Sequence, residues 1–268
     1  MCIRDSLYVY KLFKFLHSSG TTNFRSIGLL DQLFNEKRLT SILFLCTAKE
    51  AENFGRFLHE LLRELGRWHA DKSLYEKEAY GTKKDLPGFA KRLDTDTSRK
   101  PVEFLSYEEF RRIMLKWHRS LHMALKTNFT SGEYMHIRNA INVMRAIYQQ
   151  FPVVNYMGTQ QVACISQLSQ NESREDLKIA AASLLGNLKR REKDWVLPQA
   201  FNLVSRDSTP LAQSKTKCLQ NEIPVSGSNG QRGASARPST PQPDGESKKQ
   251  LNPKAPDFQP NARPRFVT

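Results

Sequence analysis

The chain has 268 residues and carries 41 Lys and Arg against 27 Asp and Glu, a formal charge of +14. That length can hold one large core, and the positive excess favours an anionic partner without choosing among nucleic acid, an acidic protein and an anionic membrane. The longest apolar stretch, around Ile42 to Cys46, is far short of the ~20 residues that cross a bilayer, which excludes a membrane-spanning helix there.

Met1 to Ser6 lacks the basic start and long apolar run of a secretory signal. With the residues up to 10 it reads as a partial or non-native leader. Leu7, Tyr10, Phe13 and Leu16 have the spacing of a helical stripe, which Ser18 to Thr21 breaks. Ile27, Leu30, Leu33 and Phe34 resume it, up to a charged stop at Glu36, Lys37 and Arg38. Ile42 to Cys46 fits either a buried strand or a buried helical turn. Thr47 and Glu50 have the spacing of a capping box, in which each side chain satisfies an unpaired backbone N–H of a helix start. Ala51, Phe54, Leu58, Leu61, Leu62, Leu65 and Trp68 then mark one face of about six helical turns.

Tyr80 to Lys100 reads as a connecting loop with a short helix at Phe89 to Leu93. Ser106 and Glu109 form a second capping box, followed by the stripe Phe110, Met114, Trp117, Leu121 and Leu125. Asn128 to Gly132 turns the chain into a third stripe of Tyr134, Ile137, Ile141, Met144 and Tyr148, with Arg138 and Arg145 outside. Pro152 ends it, because proline lacks the N–H that a helix needs. A short helix after Gly158 carries Val162, Ile165 and Leu168. Ser173 and Asp176 cap a last helix with Leu177, Ala181, Leu184, Leu185 and Leu188 inside.

Beyond Pro198 the stripes stop and Ser, Pro, Gln, Asn and Gly dominate, a composition too poor in apolar residues to offset the entropy of ordering. The chain therefore reads as all-α: stacked antiparallel helix pairs forming a solenoid-like segment, followed by a disordered basic tail. The boundaries are a leader at 1–10, a helical domain at 11–200 and a Ser/Pro/Lys/Arg-rich tail at 201–268.

A search for chemistry finds no Gly-rich phosphate loop, HExxH, GxSxG or calcium-loop pattern, so the sequence points to neither an enzyme nor a cofactor. The four cysteines, Cys2, Cys46, Cys164 and Cys218, form no CxxC pair, which fits a reducing compartment. His118 and His122 are four apart on a helix, the spacing of a shared metal, but further ligands are missing and a solvent-facing helix flank is the ordinary reading. Asp94 and Asp96 imitate a calcium loop without its Gly and distal Glu. Cys46 at a helix start has the position of an activated thiol, yet its apolar neighbours argue for burial. Trp68 and Trp117 lie on inward stripes, which leaves Trp195 as the indole available for stacking on a base. Lys189, Arg190, Arg191 and Lys193 crowd the end of the last helix, where they serve either RNA or the helix macrodipole. Arg232, Arg237, Lys248, Lys249, Lys254, Arg263 and Arg265 are spread through the tail among few acids, a pattern for sequence-tolerant phosphate contact.

Several strings in order add a family resemblance: FLHSSGTTNF from Phe15, TAKEAENFGRFLHELLRELGRWHADKSLYEKE from Thr47, FRRIMLKWHRSL from Phe110, GEYMHIRNAINVMRAIYQQFPVV from Gly132 and DLKIAAASLLGNLKRREKDWVLP from Asp176. Across about residues 11–200 the chain resembles the C-terminal region of the THO complex subunit 2 family. The resemblance implies a nuclear helical scaffold without catalytic residues, which assembles with the other THO subunits. Through them it would meet a DEAD-box RNA ATPase, an RNA-export adaptor and mRNA, with no membrane involved. Met1 to Ser6 departs from the family pattern, and the tail resembles it only in being basic and low in complexity. The alternative from another class is a free-standing RNA-binding helical module.

Overall fold

The computed structural model describes residues 3–94 and 101–201. Cys2, Thr95, Asp96, Thr97 and Ser98, and everything after Phe201 including Cys218 and the seven tail cations, lie outside the described residues.

Among the described residues nine α-helices account for most of the chain: α1 Ile3–Ser18, α2 Ser26–Leu33, α3 Glu36–Leu45, α4 Ala48–Ala70, α5 Lys72–Tyr80, α6 Tyr107–Phe129, α7 Tyr134–Ile147, α8 Asn155–Asn171 and α9 Glu175–Arg190. The all-α reading holds. Both capping boxes form, Thr47 with Glu50 at α4 and Ser106 with Glu109 at α6. The three stripes that follow face inward as their spacing requires, with Leu58, Leu65, Trp117, Leu125, Ile137, Ile141 and Met144 all buried.

The two long helices organise the core. α4 packs most extensively against α7 and also meets α1, while α6 packs on α3, α7 and α8. Close approach of α4 and α7 depends on Gly55, where a Cβ would come within 2.7 Å of the Ala146 Cβ and 3.1 Å of the Val143 backbone. Asn139, fully buried on α7, donates to the carbonyls of Leu43 at 2.9 Å and Cys46 at 2.6 Å, groups that the end of α3 leaves without helical partners. α8 and α9, joined by three residues, form an antiparallel pair. An aromatic cluster closes the other end: Tyr75 stacks on Phe110 at 4.5 Å, and Trp68 meets Phe89 edge to face at 5.4 Å. The hydroxyls of Tyr75 and Tyr80 both donate to the Leu105 carbonyl.

Four local expectations are corrected, and one left open is decided. Glu36, Lys37 and Arg38 do not stop a helix but begin α3, because the Asn35 side chain accepts from the N–H groups of Lys37 and Arg38. Ile42 to Leu45 is accordingly helical. The segment Ala90–Leu93 is a strand rather than a short helix, pairing antiparallel with Pro101–Phe104 after a 3₁₀ turn at Pro87–Phe89. Gly158 does not precede a helix but sits inside α8, which begins at Asn155. Ser173 and Asp176 do not cap α9. Its N-cap position is Arg174, which makes no side-chain cap bond and is gripped by Glu172 at 2.7 Å, while Asp176 accepts the Tyr134 hydroxyl at 2.5 Å and so ties the start of α9 to the start of α7.

Candidate functional site

Past α9 the chain does not leave the domain at once. Residues 191–201 run back over it as a strap, pinned first where Val196 bridges Val154, with Asn155 N donating to Val196 O at 3.0 Å and Val196 N to Val153 O at 2.8 Å. Trp195 lies on Gly158 of α8 and is half-buried, so part of its ring is spent on this packing contact. The strap ends in a 3₁₀ turn, Pro198–Phe201, whose Phe201 is fully buried, 4.4 Å from the His69 ring and 6.1 Å from His118. Arg111 of α6, itself buried, donates to the Ala200 carbonyl and through Nε to His69 Nε2 at 3.4 Å. The root of the cationic tail sequence is thus fixed beside the first half of α6.

The basic cluster at the end of α9 divides. Arg191 is half-buried, donates to the Tyr148 carbonyl and faces Asp194 at 3.8 Å, so it holds the strap. Lys189, Arg190 and Lys193 are exposed, although Arg190 is engaged locally with Gly186 O at 3.2 Å and Asn187 Oδ1 at 2.7 Å. The structure brings these cations to one helix end. The tail cations lie outside the described residues.

His118 and His122 are not a solvent-facing flank: both are buried. His118 stacks on Phe151 at 5.7 Å with neither ring nitrogen hydrogen-bonded among the described residues, and burial holds its pKa down at about 4. It behaves as an apolar ring. His122 meets Gln160 at 3.1 Å and Gln161 at 3.0 Å. No group of three His, Cys, Asp or Glu side chains with metal-binding geometry occurs among the described residues. Burial pushes the Cys46 thiol up from its ordinary pKa, the direction opposite to activation.

One cationic surface carries no motif of its own. From Phe110 to Gly132 the sequence has no Asp or Glu but five Lys and Arg. On α6, Arg112, Lys116 and Arg119 fall on the exposed face with Met123, and half-buried Lys126 flanks it. The same helix carries the inner stripe, so cations and apolar residues alternate along one sequence. A second surface lies on α1, where Tyr8, Leu12 and Phe15 form an exposed apolar row one turn apart, Tyr8 at 68% and Phe15 at 64% exposure. Beneath α1 a cavity of about 290 Å³ is bordered by Phe13, His17, Leu61, Glu64 and Trp68. Its polar groups satisfy one another. Lys14 donates to Glu64 and Trp68 to Glu78, both at 2.7 Å, and His17 bridges Ser26 and the Glu78 carbonyl. The carbonyl accepts only, so His17 carries its proton on Nε2 and Nδ1 accepts from Ser26.

Comparison with known proteins supplies the family. A family profile described as Tho2, transcription factor/nuclear export subunit protein 2, matches residues 1–188. The chain belongs to the Tho2 family. THO complex subunit 2 of Homo sapiens is 33% identical over 200 residues, which is 73% of this chain and 12% of that protein. Its counterpart in Arabidopsis thaliana is 30% identical over 229 residues, 85% of this chain and 12% of that protein. The Saccharomyces cerevisiae protein is 26% identical over 190 residues, covering 71% and 9%. The chain thus spans about an eighth or less of the Tho2-family relatives it matches. No solved structure matches it. The Tho2 match includes α1 to α8 and nearly all of α9, and so includes both the α1 row and the α6 face.

Proposed function

We propose that this chain is part of the non-enzymatic scaffold subunit 2 of a nuclear THO complex, which couples transcription to mRNA processing, particle assembly and export. The family match over residues 1–188 carries the reading. In this reading the helical domain docks other THO subunits and, through the complex, a DEAD-box RNA ATPase and an RNA-export adaptor. The tail cations hold mRNA through its phosphates. The exposed row Tyr8, Leu12 and Phe15 supports a protein-docking role, since a contiguous apolar patch on a helix is the common mark of a protein contact. Sequence-tolerant RNA binding is supported by Arg232, Arg237, Lys248, Lys249, Lys254, Arg263 and Arg265, and by the exposed Lys189, Arg190 and Lys193.

Affinity purification of the tagged full chain from nuclear extract tests the reading. Recovery of the other THO subunits by the wild type, reduced for a Tyr8→Ser/Phe15→Ser variant, is the expected result. Recovery of RNA with no THO subunit would overturn it in favour of a free-standing RNA module.

A further inference from the structure

We infer that the cavity beneath α1 receives one aromatic side chain of a partner protein, delivered by a segment that carries a carboxylate beside it. The inference deepens the proposed function and rests on its protein-docking reading. Leu61, Leu65 and Trp68, one turn apart on α4, border the cavity on one side with Leu30 of α2, and all four are almost fully buried. Phe13 and His17 of α1 border it on the other. The space opens between α1 and α5, where Ser18 and Lys77 are exposed. The apolar row Tyr8, Leu12 and Phe15 lies on the opposite side of α1, so the two surfaces are separate.

Volume and polarity select the occupant. The cavity, about 290 Å³, exceeds the ~150 Å³ of an apolar cavity that holds a benzene ring, and it falls short of the ~300–1,000 Å³ of pockets that enclose whole small ligands. Its walls offer nothing to fix a polar ligand. Lys14 donates to Glu64 and Trp68 to Glu78, and both His17 nitrogens are engaged, with Ser26 and with the Glu78 carbonyl. No bordering side chain has a buried nitrogen or oxygen without a partner among the described residues. A free metabolite needs such groups to be oriented, whereas a peptide side chain is oriented by its own backbone, which stays outside. The rings of Phe13, His17 and Trp68 offer an aromatic occupant edge and face contacts.

Charge at the mouth selects what flanks that side chain. Glu64 is held by Lys14 and by Arg67, both at 2.7 Å, and Glu78 accepts from Trp68 and pairs with Arg67 at 3.4 Å. The cations Lys14, Arg67 and Lys77 thus face only the carboxylates Glu64 and Glu78, and Lys77 is left without an ion pair among the described residues. Exposed Lys11, one turn before Lys14, adds positive charge on the same side of α1. The neighbouring pairs Arg63–Glu60 and Lys72–Glu76 are each neutral, and the loop after α5 sets Lys83 and Lys84 against Asp85. An acidic residue beside the aromatic anchor complements this surplus.

The test is fluorine NMR of a tripeptide with 4-fluorophenylalanine between two glutamates, capped at both ends and titrated with the full chain. The same peptide with lysine flanks and free 4-fluorotoluene are run beside it. The glutamate-flanked peptide should show a saturable shift with a Kd on the order of millimolar, several-fold tighter than the lysine-flanked one. Ser18→Trp covers the mouth from outside and Leu61→Phe fills the space from within. Each should weaken binding about tenfold or more, with unchanged far-UV circular dichroism. Lys77→Glu should remove the preference for glutamate flanks. If neither blocking variant weakens binding, the peptide sits elsewhere on the chain and the inference is overturned. It is overturned as well if the wild type binds neither probe, or binds 4-fluorotoluene and not the peptide, since the cavity then takes free apolar molecules. In each of these cases recovery of the other THO subunits from nuclear extract would leave the proposed function standing.

Discussion

The indole of Trp195 lies so close over Gly158 that a Cβ at that glycine would come within 2.5 Å of the ring. This contact seats the strap that carries the chain from α9 to Phe201. Gly158→Ala sets two effects against each other: a gain of about 0.5–1 kcal/mol from helix propensity and a loss of about 1–3 kcal/mol from overpacking. Overpacking wins. Urea denaturation should show a net loss of stability, and trypsin should cut faster at Arg191 and Lys193 than in the wild type. An unchanged cleavage rate would mean that the strap is not held by this contact.

Asn139 joins elements far apart in sequence by donating to Leu43 O and Cys46 O. Asn139→Leu keeps the branched shape but leaves one buried and one part-buried carbonyl unpaired, at about 1–3 kcal/mol each. The expected loss is about 2–5 kcal/mol in chemical denaturation, larger than for Asn142→Leu, whose residue is less buried and donates to Ala48 O at 3.2 Å.

On α7 the inner and outer faces should respond differently. Ile141→Ala removes a buried side chain and should cost about 2–5 kcal/mol. Arg138 is exposed, donates to the Tyr134 hydroxyl at 2.8 Å and lies over that ring at 5.6 Å, so Arg138→Ala should cost less than about 1 kcal/mol. Equal denaturation midpoints for the two variants would reverse the assignment of faces.

Stability should fall between pH 7 and pH 5. Burial holds His118 at about 4, and burial together with the Arg111 charge does the same to His69, whereas an unfolded histidine titrates near 6.5. Above pH 6.5 both states are neutral and the stability is full. As the pH falls towards 4 the unfolded chain binds protons that the folded chain refuses, so stability is lost by up to about 1.4 kcal/mol per pH unit for each histidine. The depressed carboxyls of Glu109 and Glu172, near 2, add their loss only at lower pH. His118→Leu should flatten the slope between pH 7 and pH 5. An equally steep slope in that variant would show that His118 does not contribute.

RNA binding by the tail should depend strongly on salt and little on sequence. If about five phosphates are neutralised on a single strand, log K should fall against log salt with a slope near −3.5. Replacing Lys248, Lys249, Arg263 and Arg265 by alanine in the full chain should make the slope shallower, by anisotropy with oligouridine and a mixed-sequence RNA. Strong discrimination between the two RNAs would contradict a phosphate-only contact.

What the sequence alone determined is what depends on residues within a turn of one another. The capping boxes Thr47 with Glu50 and Ser106 with Glu109 satisfy their N–H groups locally, and the stripes of α4, α6 and α7 repeat every three or four residues, so the helices and their inner faces were legible. The basic cluster at the end of α9 was legible as composition, and so was the acid-free run of α6, although its outward face emerges only when position is read together with charge. Tertiary structure decided the rest. Ala90–Leu93 is a strand because Pro101–Phe104 pairs with it, and His118 is buried because Phe151 and Phe201 arrive from distant parts of the chain. Arg191 holds the strap instead of standing free, and Trp195 covers Gly158, because residues 191–201 fold back across α8 and α6. Burial and pairing of this kind are set by which elements meet, and no local spacing encodes a partner many residues away.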